Sequence, residues 1–129
     1  MTTWQVGDVS IRRIVELETV GSTRFLLPDA TRDAVLPIDW LRPDFADDQG
    51  NLAMSIHSYL LQTPGQTILV DTALGNDKDR PISLWHQRSG PYLNDLQALG
   101  ISRESVDLVI CTHLHVDHVG WNTMLVDGD

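Results

Sequence analysis

A chain of 129 residues that is 42% apolar and 21% charged, with 9 Gly and 6 Pro, has the composition of one small soluble globular domain and excludes a disordered, collagen-like or repeat-built chain. Lys and Arg number 9 against 18 Asp and Glu, and the resulting net charge of −9 repels polyanions, which excludes nucleic acid as substrate and an acidic membrane surface as partner. Cys111 is the single cysteine, so no intrachain disulfide can form, and a reducing cytoplasm fits.

Residues 4–20 alternate apolar and polar positions with β-branched Val6, Val9, Ile11, Ile14, Val15 and Val20, broken at Gly7-Asp8, which predicts an opening hairpin. Residues 21–51 carry Pro28, Pro37 and Pro43 and few strand formers, predicting a long excursion with a helix over 29–36 capped by Asp29 or Thr31, then a solvated acidic loop over 44–50. Residues 52–63 and 67–72 read as strands around the turn Pro64-Gly65-Gln66. After a polar loop over 75–90, Pro91 stands at the first position of a short helix whose Leu93, Leu96 and Leu99 line one side, with Gly100 as terminator. The run 107–112 is continuously apolar in its middle, as expected of a strand covered on both faces. No apolar run reaches the length of a membrane span, and the opening MTTWQVGDVS has no charged segment followed by an apolar one, so the expectation is a soluble, cytoplasmic protein of one domain or part of one.

The chemistry is concentrated where the last strand stops. Residues 113–118 read His-Leu-His-Val-Asp-His, three of the five histidines and one aspartate in six positions. Imidazole nitrogen and carboxylate oxygen suit Zn²⁺ and related divalent ions. His113 and His115, two apart, would project to one side if the strand continued and so reach one ion, while Asp117 and His118 suit a second ion nearby. Groups beyond the carboxyl end of a strand are where open α/β sheets collect function. Two adjacent ions can share a hydroxide and polarise a carbonyl or phosphoryl oxygen, so the reaction class is hydrolysis.

The stretch Thr112-His113-Leu114-His115-Val116-Asp117-His118-Val119-Gly120 resembles the HxHxDH signature of the metallo-β-lactamase-fold hydrolases, and residues 58–72, ending Val70-Asp71-Thr72, resemble that family's strand-turn-strand leading to its Asp-Thr. The resemblance runs from about Leu52 onward. It implies an α+β fold, the αββα sandwich built from two similar halves, with His113 and His115 on a first zinc ion and Asp117 and His118 on a second. Asp117 would also orient the attacking hydroxide, and Asp71 would hold a ligand histidine from behind. Gly120-Trp121-Asn122 and the long N-terminal excursion look most like the lactonase and organophosphate-hydrolase-like branch. The substrate implied is a small molecule: an ester, lactone or phosphotriester, with glyoxalase-II-like thioesters left open. The commonest class B β-lactamases lack a histidine at the position of His118, so antibiotic hydrolysis is not favoured.

In this family a further metal-binding histidine, a bridging aspartate and a third histidine lie well downstream of the signature. Residues 119–129 contain no histidine, and Asp127 and Asp129 lie too close in sequence to replace the bridge. The expectation is a chain corresponding to the first half of the fold. It would bind metal weakly and be a poor catalyst alone, with an uncovered sheet face or edge that favours a homo-oligomer. The alternative is a non-catalytic metal-binding or interaction fragment completed by a partner chain. Elsewhere, His57 reads as a structural strand residue, His86 as a surface or pocket-rim residue and Cys111 as a small buried one. Trp4, Trp40, Trp85 and Trp121 read as packing anchors, Trp121 being near enough to the cluster to touch a substrate.

Overall fold

Five strands, two short α-helices and four single-turn 3-10 helices account for the regular structure of the computed structural model, which describes residues 2–21, 24 and 26–127. Strands β1 (Thr3–Val6) and β2 (Val9–Gly21) pair antiparallel with Val6 opposite Val9. The two-residue turn between them places Gly7 at φ +57°, a backbone that glycine adopts without cost. Strand β3 (Leu52–Gln62) and strand β4 (Thr67–Val70) form the second expected hairpin, with Gln62 opposite Thr67. Its turn is closed by Thr63, whose N–H donates to Gln66 O at 2.9 Å and whose hydroxyl accepts the N–H of Gln66 at 3.0 Å. Strand β5 (Leu108–Ile110) runs parallel to β4, with Val70 opposite Ile110, and the sheet order is β1-β2-β3-β4-β5.

The chain divides into two compact units. One comprises residues 1–16 and 56–129, the other residues 17–55. In the first, β3 buries Ile56, Ser58 and Leu60 on alternate positions, the period expected of a strand with one covered face. Helix α2 (Tyr92–Ala98) buries Tyr92 and Leu96, one turn apart, and the Tyr92 hydroxyl donates to Ser58 Oγ at 2.6 Å, satisfying two polar groups that the core would otherwise strand. The leucine stripe expected along this helix is thus anchored by Tyr92, with Leu93 and Leu99 only half-buried. Pro91 precedes the first helical residue as its cap.

In the second unit, helix α1 (Arg32–Val35) is shorter than expected, and Thr31 rather than Asp29 caps it, accepting the N–H of Ala34. The acidic loop is more ordered than a solvated run requires: Asp47 accepts the N–H groups of Gln49 and Asn51 through one oxygen and the Asn51 amide through the other.

Three expectations fail. The apolar middle of β5 is only partly covered: Leu108, Val109 and Ile110 are 43%, 42% and 45% exposed on the last strand of the sheet among the described residues. Cys111, just past β5, is accordingly half-exposed, with the Asn122 amide 3.4 Å from its sulfur. Of the four tryptophans, Trp85 is a buried anchor, whereas Trp40 is 73% exposed and Trp4 lies open beside Tyr59. His57 packs its ring edge-on to Tyr59 within β3, the structural role expected of it.

Candidate functional site

Because β4 and β5 are parallel and in register at Val70 and Ile110, the residues that follow them leave the sheet side by side. Backbone hydrogen bonds continue the pairing after the strands end. Asp71 N–H donates to Ile110 O and Thr72 N–H to His118 O, each at 2.8 Å; Gly120 N–H donates to Ala73 O at 2.7 Å and Trp121 N–H to Thr72 O at 2.9 Å. Residues 71–75 and 118–121 are thereby zipped together. At their closest approach a Cβ on Gly120 would lie 1.8 Å from the Leu74 carbonyl carbon, and one on Gly75 would lie 2.6 Å from Gly120 O. The structure requires glycine at position 120 because another backbone occupies the place of its side chain.

This zipper sets Asp71 beneath the histidine loop. Asp71 is buried and takes φ +57°, a left-handed conformation that aspartate tolerates and that clusters at functional sites. Its Oδ1 accepts Thr112 N–H at 2.7 Å, its Oδ2 accepts the Thr112 hydroxyl at 2.8 Å, and Oδ2 stands 2.8 Å from His118 Nδ1. Burial pushes the Asp71 carboxyl up, but the bonds from His118 and from Thr112 outweigh it and hold the group below the usual carboxylate range. An ionised Asp71 can only accept, so His118 donates to it from Nδ1.

The 113–118 loop itself does not continue β5. It bends after Cys111 and closes a turn in which His118 N–H donates to His115 O at 3.0 Å. The turn brings the three imidazoles together in place of the strand alternation: the His113 ring lies 3.9 Å from that of His118 and 4.7 Å from that of His115, centre to centre. Asp117 Oδ2 is 3.5 Å from His118 Nε2. His113 and His115 are exposed, Asp117 and His118 half-buried. The donor types are those zinc takes, and His118 Nε2 stands beside Asp117, yet among the described residues no three His, Cys, Asp or Glu side chains converge as a group that could hold a metal ion.

The two residues considered for a substrate pocket part company. Trp121 stacks on Tyr92 with ring centres 5.5 Å apart and lines a cavity of about 230 Å³ with Asn76, Asp77, Pro91 and Met124; no residue of the 113–118 loop lines it. His86 is exposed on the 75–90 loop, where its Nδ1 accepts the N–H of Arg80 at 3.1 Å, and is not among the lining residues. Sequence reasoning missed Thr112, which supplies two donors to Asp71, and Asn122, which accepts the Thr72 hydroxyl at 2.8 Å. Both stood in stretches that carry the resemblance, Thr112 at the head of the signature and Asn122 in Gly120-Trp121-Asn122, but neither was given a role.

No helix among the described residues is long and apolar enough to cross a membrane. No curated protein matches the chain. Among solved structures the chain is similar to AidC, a dizinc quorum-quenching lactonase, at 23% identity and a TM-score of 0.66, over 92% of this chain and 37% of that one. It is also similar to a probable metal-dependent hydrolase from Staphylococcus aureus, at 22% identity and 0.65, over 91% and 42%. A third is the hydrolase AbOPH in the beta lactamase superfamily, at 28% identity and 0.64, over 91% and 37%. The chain therefore spans less than half the length of each, and its mixed five-stranded sheet is part of their fold. Residues 52–128, from β3 through the histidine loop, match the model of the metallo-beta-lactamase superfamily, and the chain belongs to that family.

Proposed function

We propose that this chain carries the first metal-binding portion of a zinc-dependent hydrolase acting on an ester, lactone or phosphotriester. In this reading His113 and His115 contribute to one ion, Asp117 and His118 to a second, and Asp71 holds His118 from behind. The observation that carries the proposal is the Asp71–His118 contact, in which a carboxylate orients the imidazole through Nδ1 and leaves Nε2 on the side of Asp117, the arrangement that makes a histidine a better ligand. Zinc bound there would act as a Lewis acid and make water a nucleophile at neutral pH. Asp117, with its carboxylate beside His118 Nε2, would help hold that ion and orient the nucleophile. The likeness in fold to a dizinc lactonase supports lactones as the first substrate class to try, and the single cysteine supports a cytoplasmic setting.

The absence of a convergent three-donor group among the described residues favours a second reading, a non-catalytic metal-binding fragment completed by a partner chain. Zinc binding measured by calorimetry, together with hydrolysis of a lactone and of a phosphotriester in the presence of zinc, separates the two. Zinc bound by the chain and lost in His113→Ala and His118→Ala, with turnover that disappears in the same variants, supports the hydrolase. Zinc binding without turnover favours the fragment, and no zinc binding above that of the His113→Ala variant overturns both.

A further inference from the structure

Glu16 lies on β2, far in sequence from the histidine loop, yet its carboxylate reaches both strands of the zipper that carries Asp71 and His118. Oε2 accepts the N–H of Leu74, three residues after Asp71, at 2.5 Å; Oε1 accepts the indole N–H of Trp121, three residues after His118, at 2.8 Å. The Glu16 carbonyl accepts from Arg88, which ties down the backbone from which the side chain projects. Trp121 cannot swing away, since its ring is stacked on buried Tyr92. We propose that Glu16 is a positioning residue of this site: its two acceptor oxygens clip residues 71–75 to residues 118–122 and so hold His118 on Asp71.

Chemistry requires a carboxylate in this place. Both partners are donors, Leu74 N–H and Trp121 Nε1–H, and only a side chain with two acceptor oxygens in fork geometry satisfies both at once. A glutamine of the same shape turns one oxygen into an N–H₂ group facing a donor, which releases one of the two segments. Aspartate keeps both acceptors but is one methylene too short to span them. The glycine contact at Gly75 and Gly120 lets the two backbones touch and their backbone hydrogen bonds set the register, while the Glu16 clip adds a side-chain tie across both segments that resists a slide. A small slide is enough to break a 2.8 Å contact between Nδ1 and Oδ2.

Imidazole nitrogen NMR on the whole chain, without metal and at a pH where the ring is neutral, reads the proposal directly. Wild type should show the His118 proton on Nδ1. Glu16→Gln should lose that signal in favour of the commoner Nε2–H tautomer, and zinc affinity should fall about tenfold. Trp121→Phe keeps the stack on Tyr92, removes only the indole donor and should shift the tautomer partway. The double variant should recover toward Trp121→Phe alone, because the glutamine N–H₂ then faces no donor. If Glu16→Gln does not fold, Trp121→Phe decides by itself. His118 nitrogen signals that stay as in wild type while the melting temperature falls would overturn the proposal and leave Glu16 a brace of the fold. The zinc arm alone rests on the hydrolase reading: a wild-type chain that binds no zinc but loses its Nδ1–H signal in Glu16→Gln would sink that reading and support the role of Glu16.

Discussion

Asp71 Oδ2 and His118 Nδ1, 47 residues apart in sequence, stand 2.8 Å from one another because β4 and β5 end side by side in a parallel pair. The contact gives the histidine loop a fixed tautomer and direction before any ligand is present.

Asp71 also links the site to stability. Its folded carboxyl lies below the ordinary value of about 3.9, so the unfolded chain binds its proton first. The resulting stability is fully present above that ordinary value and is lost as pH falls through the lowered folded value. Urea unfolding of wild type and Asp71→Asn between neutral and acid pH should show a difference of about 1.5–3 kcal/mol at neutral pH that shrinks in acid. A constant difference across the range would refute the linkage.

Gly120→Ala should be far more damaging than its size implies. The added carbon would sit 1.8 Å from the Leu74 carbonyl carbon, whereas one at Gly65 would meet nothing within 4 Å. The expected loss is about 3 kcal/mol or more for Gly120→Ala and near zero for Gly65→Ala, read from denaturant midpoints. Similar midpoints for the two variants would show that the backbones at 74 and 120 do not touch.

The Tyr92 phenol titrates late. Burial pushes it up to about 12, against the pull of its bond to Ser58 and with a further push from the charge of Glu16. The folded state keeps it neutral, so its contribution to stability is present below the ordinary value of about 10 and is lost as pH rises from there through 12. Phenolate absorbance of wild type against Tyr92→Phe should isolate a step near 12; a step at the ordinary value would mean that the ring is wet. Tyr92→Phe also leaves Ser58 without its donor inside the core, at a cost of about 1–3 kcal/mol.

The exposed apolar edge at β5 predicts self-association. Leu108, Val109 and Ile110 offer a strand edge that no other strand pairs among the described residues, with partly exposed apolar side chains on both faces. Sedimentation of the chain should show a concentration-dependent oligomer that Val109→Lys reduces, since a lysine on an edge strand opposes pairing. Equal association of the two proteins would place the contact elsewhere.

Local rules, applied residue by residue, determined the two hairpins, the helix after Pro91 and the six-residue donor cluster and narrowed the α1 cap to Asp29 or Thr31, because each depends on neighbours a few positions away. The pairing of Asp71 with the histidine loop was legible only through the resemblance, which pointed to an aspartate at the end of a second apolar strand. Tertiary structure alone decided the rest. That the open edge falls on β5, that Gly120 is needed for a backbone contact, that the imidazoles meet through a turn, and that Glu16 spans 58 and 105 residues to hold Leu74 and Trp121 all follow from which strands lie side by side. Strand order sets contacts between positions far apart in sequence, and neither periodicity nor composition encodes the distance between such positions.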